Sequence, residues 1–256
     1  MAYQIGDIKF KGQLGDLTFY KQGDSYLAKR KGGISPKRMA TDPKLERSRE
    51  NSSEFGRAST AAKQLRRAMR EVLPLFHEGT MQTRLNKRIL QLIKGDGTSD
   101  RGKRRLIPVN LPLLIGFSFN SNSSWKDVYY APFQRSFDER SGKLLVTFPE
   151  HWAAATLLLP KLATGVRFTV AALTADTKNE TFHCCYEHSP VLPASGLLPQ
   201  QRFELDAGMT GLPVILATGL AFFKEVGGYQ VPIEKPLCNA LDIIDVFQSY
   251  DLPAVV

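Results

Sequence analysis

Cysteine is scarce in this chain: Cys184, Cys185 and Cys238 are the only three among 256 residues. An odd number without regular spacing gives no disulfide framework, and fits a reducing compartment. Long hydrophobic runs are also missing. The two longest, around Trp152 to Leu159 and Gly211 to Phe223, are stopped by Pro160-Lys161 and by Lys224, short of the ~18 residues a membrane helix needs. The first residues, MAYQIGDIKFKGQLG, lack a positive stretch followed by an apolar one, so no secretion signal is expected. These absences lead us to expect a cytoplasmic protein without membrane contact, incorporated into a virion or similar particle if it leaves the cell at all.

Catalytic signatures are absent as well. The sequence has no G-x-S-x-G and no H-E-x-x-H, and no pair of carboxylates can be placed for glycoside chemistry. His77-Glu78, Asp138-Glu139 and His151 read as turn and surface residues. No enzyme and no cofactor are expected.

One stretch comes close to a phosphate-binding loop. Gly97-Thr98-Ser99-Asp100-Arg101-Gly102-Lys103 matches seven of the eight positions of G-x-x-x-x-G-K-[ST]. Such a loop must follow a buried strand, open a helix, and carry a hydroxyl after its Lys to ligate Mg²⁺. Here LNKRILQLIK precedes it with helical spacing, Arg104 follows Lys103, and Pro108 and Pro112 oppose a helix downstream. The stretch therefore reads as a flexible basic connection. A second collection of ligand-type residues, His183-Cys184-Cys185-Tyr186-Glu187-His188, reads as a strand. Alternation sends His183 and Cys185 to one face and Cys184 and His188 to the other, so no metal site is assigned.

Charge is distributed unevenly. Residues 1–105 hold 24 Lys and Arg against 11 Asp and Glu, a net of +13, whereas residues 106–256 hold 10 against 14, a net of −4. A basic segment of this kind suggests an anionic partner, or the acidic half of a neighbouring copy. The cations that would meet it are Lys29, Arg30 and Lys31, the helical ridge Lys63, Arg66, Arg67 and Arg70, and Arg104 and Arg105. Phe19, Tyr20 and Tyr26 lie near the first group, as backbone attraction plus base stacking would use. No helix-turn-helix, zinc-finger or RNA-recognition signature accompanies them.

Periodicity sets the expected architecture. IGDIKFKG, GDLTFYKQ and SYLAKRK alternate apolar and polar residues between Gly-containing turns, one of them Gly23-Asp24, and read as a small hairpin sheet. A Gly/Pro/basic linker follows. Thr41 or Asp42 then caps a helix with Pro43 in its first turn, and Ala58, Ala62, Leu65, Met69, Val72 and Leu73 form its buried stripe. Asn51-Ser52-Ser53 and Gly56 mark a weak point in it. A second helix is expected over 80–94, with Met81, Leu85 and Ile89 inward and Arg84, Lys87 and Arg88 outward. Beyond Arg105, short strands are expected at 113–120, 125–133, 143–149, 165–176, 180–189, 202–207, 212–226, 228–233 and 239–247, with a Gly227-Gly228 hairpin. The fold class is thus α+β: a basic hairpin and two-helix module over 1–105, followed by an antiparallel β-sandwich over 106–256.

The N-terminal motifs are distinctive. Gly12, Leu14, Gly15, Leu17, Thr18, Phe19 and Tyr20 form one element, and Thr41, Asp42, Pro43, Arg47, Arg49, Glu50, Asn51, Glu54, Phe55, Gly56 and Ala58 another. Over about residues 5–75 the chain resembles a large family of uncharacterised Bacteroidota proteins. More loosely, it is similar to short structural-module proteins encoded near the head and tail genes of phages and prophages. The resemblance implies no enzymatic activity. It implies a structural or assembly protein of a phage or related element, forming homo-oligomers or docking to structural partners, with nucleic-acid binding by the basic module as the alternative.

Overall fold

The computed structural model describes residues 2–30, 32–208, 211–233 and 238–248. It falls into two compact units, Met1–Arg49 and Glu50–Val256.

The first unit is a four-stranded antiparallel sheet followed by a short helix. Strands β1 (Ala2–Tyr3), β2 (Gly12–Leu14), β3 (Leu17–Gln22) and β4 (Ser25–Arg30) lie in the order β1-β4-β3-β2. Two-residue turns join β2 to β3 and β3 to β4, and Gly15 (φ +52) and Gly23 (φ +58) supply the left-handed backbone each turn requires. The strand expected at residues 5–11 is a loop instead. Its geometry is set by Gln4, whose carboxamide accepts from the Phe10 amide (2.8 Å) and donates to the Phe10 and Leu27 carbonyls. Residues read as a linker hold helix α1 (Pro36–Thr41), capped by Ser35. Asp42 then caps a single 3₁₀ turn, accepting from the Lys44 amide at 2.9 Å.

Helix α2 (Glu46–Ala68) and helix α3 (Met81–Lys94) follow. The expected stripe on α2 is buried, and α2 runs unbroken through Asn51–Gly56. Tertiary hydrogen bonds hold that stretch of weak helix formers in place. Buried Glu54 accepts from the Gly102 amide at 2.9 Å, and Arg57 donates to the carbonyls of Gly102 and Arg104. Arg84, expected to point outward, is folded back: it pairs with Glu78 at 2.7 Å and lies over the Phe117 ring.

The remaining elements are α4 (Trp125–Val128), β5 (Gln134–Asp138), β6 (Lys143–Phe148), β7 (His151–Trp152), α5 (Ala153–Thr156), β8 (Gly165–Asp176), β9 (Thr181–His188), β10 (Leu192–Pro193), β11 (Leu197–Leu198), β12 (Gln201–Asp206), β13 (Val214–Val226), β14 (Tyr229–Pro232) and β15 (Ala240–Phe247). Seven of the nine expected strands appear. The expected strand at 125–133 contains α4, and that at 113–120 follows a 3₁₀ segment, Pro108–Leu114. Its end still hydrogen-bonds along β15, with the Gly116 amide donating to the Ile243 carbonyl at 2.8 Å. The Gly227-Gly228 hairpin forms with both glycines at positive φ.

The long strands β8 and β13 pair along ten residues at the centre of a six-stranded antiparallel sheet. Nearly every residue of both is buried, so they read as continuous apolar runs rather than alternating ones. One face, with Ala171, Leu173, Ile215 and Ala217, packs under α2 and α3. The opposite face, with Phe168, Val170, Leu216 and Leu220, packs on α4 and on the sheet β12-β6-β5 through Leu144, Val146, Phe148 and Phe203. The fold is α+β, in three layers: helices, a central sheet and a smaller sheet. The change of composition after Arg105 falls inside the second unit, because the helical layer completes the same core as the central sheet.

Gly219, on β13, is tightly enclosed by the neighbouring strand and by the helix-side core. A Cβ there would lie 2.9 Å from Leu241 Cδ1 and 3.0 Å from Phe76 Cζ. Gly219→Ala should therefore destabilise the protein by roughly 1–3 kcal/mol, read as a lower midpoint of thermal unfolding. An unchanged midpoint would mean that the layers can separate at no cost.

Candidate functional site

The loop that mimics a phosphate-binding motif is organised around a carboxylate of its own. Asp96, buried at the end of α3, accepts from the Thr98 amide (2.9 Å), the Thr98 hydroxyl (2.7 Å), the Ser99 amide (3.2 Å) and the Arg105 amide (3.1 Å). Hydrogen bonds from Thr98 and Ser99 hold its carboxyl far below the usual range, against the opposing effect of burial. Gly102, at φ +79, is required for a different reason: a Cβ there would lie 3.1 Å from Glu50 Cα. The amides that a bound phosphate would need at Thr98, Ser99 and Gly102 are already taken, and a helix precedes the loop where a strand is needed. The expected flexible connection is a pinned one. Asp96→Ala should cost about 2–3 kcal/mol, because it removes four hydrogen bonds to a buried carboxylate; a urea titration that moves by less than a third of that would contradict this role.

The His-Cys stretch forms β9, paired with β8. Cys184 and Tyr186 pack on the helical side of the sheet and Cys185 on the other. Burial pushes the Cys184 thiol up to about 12, which opposes thiolate chemistry. His188 Nδ1 lies 2.8 Å from the Thr169 hydroxyl, while His183 is exposed. Among the described residues, no three His, Cys, Asp or Glu side chains converge as metal ligands.

The cations singled out from sequence are dispersed. Lys29 lies over the Tyr20 ring at 5.3 Å and Arg30 faces Asp16 at 3.7 Å, both within the first unit. Lys31 lies outside the described residues. In the second unit, Lys63 and Arg67 are exposed on α2 without an ion pair among the described residues, and Arg105 is exposed. Arg104 turns toward Glu54, at 4.0 Å. Arg66 and Arg70 share a cavity wall, in a groove that continues to Gln82.

The first unit presents an apolar surface that the sequence reading treated only as a hairpin. Strand register places Leu14 opposite Leu17 and Phe19 opposite Ala28, on one face of the sheet. Phe10 packs on Phe19 at 5.8 Å between ring centroids. Leu14 is 73% exposed, Phe10 58% and Leu17 42%. Tyr3, Ile5, Ile8 and Ile34 are also exposed, and Leu27 is the one buried hydrophobic residue among those described in this unit.

Sequence reasoning also missed a buried polar cluster in the second core. Asp242 on β15 accepts from the Trp125 amide through Oδ2 (2.9 Å), fixing the start of α4. Its Oδ1, and the hydroxyl of Thr218 directly across the strand pair, have no hydrogen-bond partner among the described residues. The signal was faint: two acidic residues, Asp242 and Asp245, in an otherwise apolar strand, of which only Asp242 is buried. Burial pushes the Asp242 carboxyl up from its ordinary value. A proton is then held more tightly in the native state, so this group favours folding below the ordinary carboxylate range. That contribution fades as pH rises through the raised native value. Asp242→Asn keeps the acceptor for Trp125 and adds a donor for Thr218. At neutral pH it should raise stability by about 1 kcal/mol, with the gain shrinking toward pH 3; a destabilised variant at neutral pH would show that the ionised form is the one the core accommodates.

No protein-family model matches the chain, and no curated protein matches it. No helix among the described residues is long and apolar enough to cross a membrane.

Proposed function

We propose that this is a non-enzymatic structural protein that assembles through its N-terminal unit, with a second copy of the chain as partner. The observation that carries this reading is the open apolar face of the first unit: Phe10, Leu14 and Leu17 are exposed, and Leu27, on the opposite face of the sheet, is the single buried hydrophobic residue among those described in the unit. A sheet of four short strands cannot reach independent stability on so small a core. A contiguous apolar surface of this kind marks an association site. The sheet also ends, among the described residues, in the short unpaired edges of β1 and β2, which a neighbouring strand can extend. The looser similarity of this segment to phage structural modules supports the same reading, of a protein belonging to a phage or related element.

Nucleic-acid binding is the second reading, favoured by exposed Lys63 and Arg67 on one helix without ion pairs among the described residues. Its affinity would fall steeply with salt.

Light scattering on a sizing column separates the two. Assembly predicts a defined multimer without DNA that survives high salt. The double variant Leu14→Lys, Leu17→Glu should return it to monomer, with the unfolding midpoint of the isolated monomer changed little, since both side chains are already exposed. A monomer under all protein-only conditions, shifted only by DNA at low salt, would replace assembly with the second reading.

A further inference from the structure

Near the end of α2, Arg66 is a partly buried cation without a counter-charge among the described residues. Arg66 is half-buried, burial pushes its guanidinium below the ordinary arginine pKa, and its Nη1 is fully buried without a hydrogen-bond partner among the described residues. A guanidinium nitrogen withdrawn from water and left unpaired is costly, and an anion at the partly exposed group would offset that cost. Arg66 lies in the wall of a groove of about 420 Å³ with Arg70, His77, Gly79 and Gln82.

The rest of the lining does not supply that anion. Glu78 is the acid among the lining residues, and its oxygens are consumed. One accepts from the Thr80 hydroxyl and from Arg84 (3.0 and 2.7 Å), and the other from the Thr80 amide. Burial alone would raise its carboxyl; these hydrogen bonds and the Arg84 charge outweigh it and bring it down to about 2. Arg70 reaches Glu71 at only 3.4 Å, and Glu71 is itself engaged by the Tyr186 hydroxyl at 2.6 Å. His77 donates through Nδ1 to the Leu73 carbonyl (2.9 Å), which leaves its Nε2 uncommitted. Gly79, Met81 and Gln82 bring the first turn of α3 to the same groove, where the helix carries partial positive charge.

We propose that this groove binds an anionic oxygen group, a phosphate or a phosphate ester, with Arg66 and Arg70 as its principal ligands. Planar guanidinium groups match tetrahedral oxyanions with paired N–H donors. The groove residues belong to the second unit and the proposed assembly residues to the first, so a variant in one set tests one proposal without altering the residues of the other.

The experiment uses the full chain in low-salt, phosphate-free buffer, titrated by calorimetry with inorganic phosphate and, separately, with a single-stranded oligonucleotide. Binding should saturate with at least one probe. Arg66→Gln should weaken it by about tenfold or more, whereas Arg67→Gln, on the same helix but outside the groove, should change it by no more than about twofold. Arg66→Gln should also unfold at or above the parent temperature without phosphate and lose the phosphate-induced rise. If that variant does not fold, exposed Arg70→Gln gives the same comparison. Saturation by phosphate alone identifies a small anion as the ligand, and saturation only by the oligonucleotide identifies a nucleic-acid backbone; either supports the site. No saturation with either probe, or equal losses from the Arg67 variant and the groove variant, would overturn it.

Discussion

The second unit depends on the pairing of β8 with β13. Both strands are buried on both faces, so the sheet they nucleate cannot be stable with either side open to water. Ala171 and Ala217 on one face leave room for the helices to approach, while Phe168 and Leu216 on the other interdigitate with the smaller sheet. Outward from this pair, each strand takes two further partners: β9 and β10 along β8, β15 and β14 along β13. The helices thus form one of two covers for a sheet that sequence order delivers much later.

That dependence explains what was legible in the sequence. Local signals translated directly: the stripe from Ala58 to Leu73, the limits of α3, the Gly227-Gly228 turn and most strands of the second half follow from periodicity and turn chemistry. Failures occurred where a distant contact overrode a local preference. Asn51–Gly56 stays helical because Glu54 and Arg57 are tied to a loop about 45 residues away. Residues 125–133 have the composition of a strand, yet the chain turns into α4 with Asp242 holding its first amide. The boundary after Arg105 reflects a real shift in composition, but composition does not record which core an element completes.

The candidate sites show the same limit in another form. Read along the chain, Gly97–Lys103 looks like a phosphate loop and Arg104 like a free cation. In three dimensions Asp96 occupies the place of the anion, and Glu54 takes the neighbouring charges. Charge counts identify which segment is basic; they do not separate a cation that is already paired from one that is not. Arg66 and Arg67 are adjacent and chemically identical in sequence. Burial of one Nη1 without a partner, and exposure of the other side chain, is what distinguishes them.

Apolar burial is unevenly distributed between the two units. The helix-facing core of the second unit is almost entirely apolar, with large side chains such as Phe76, Leu85 and Phe119 fully buried. Such a core needs nothing further from outside. The first unit is the reverse: its hydrophobic residues are mostly solvent-facing, and its folded shape rests on turns, a Gln4 carboxamide acting as a strand surrogate, and caps at Ser35 and Asp42. Hydrogen bonds of this local kind fix geometry while contributing little net stability. The shape of this segment is therefore specified by local hydrogen bonds, while most of its apolar side chains stay exposed; the proposed assembly rests on that combination.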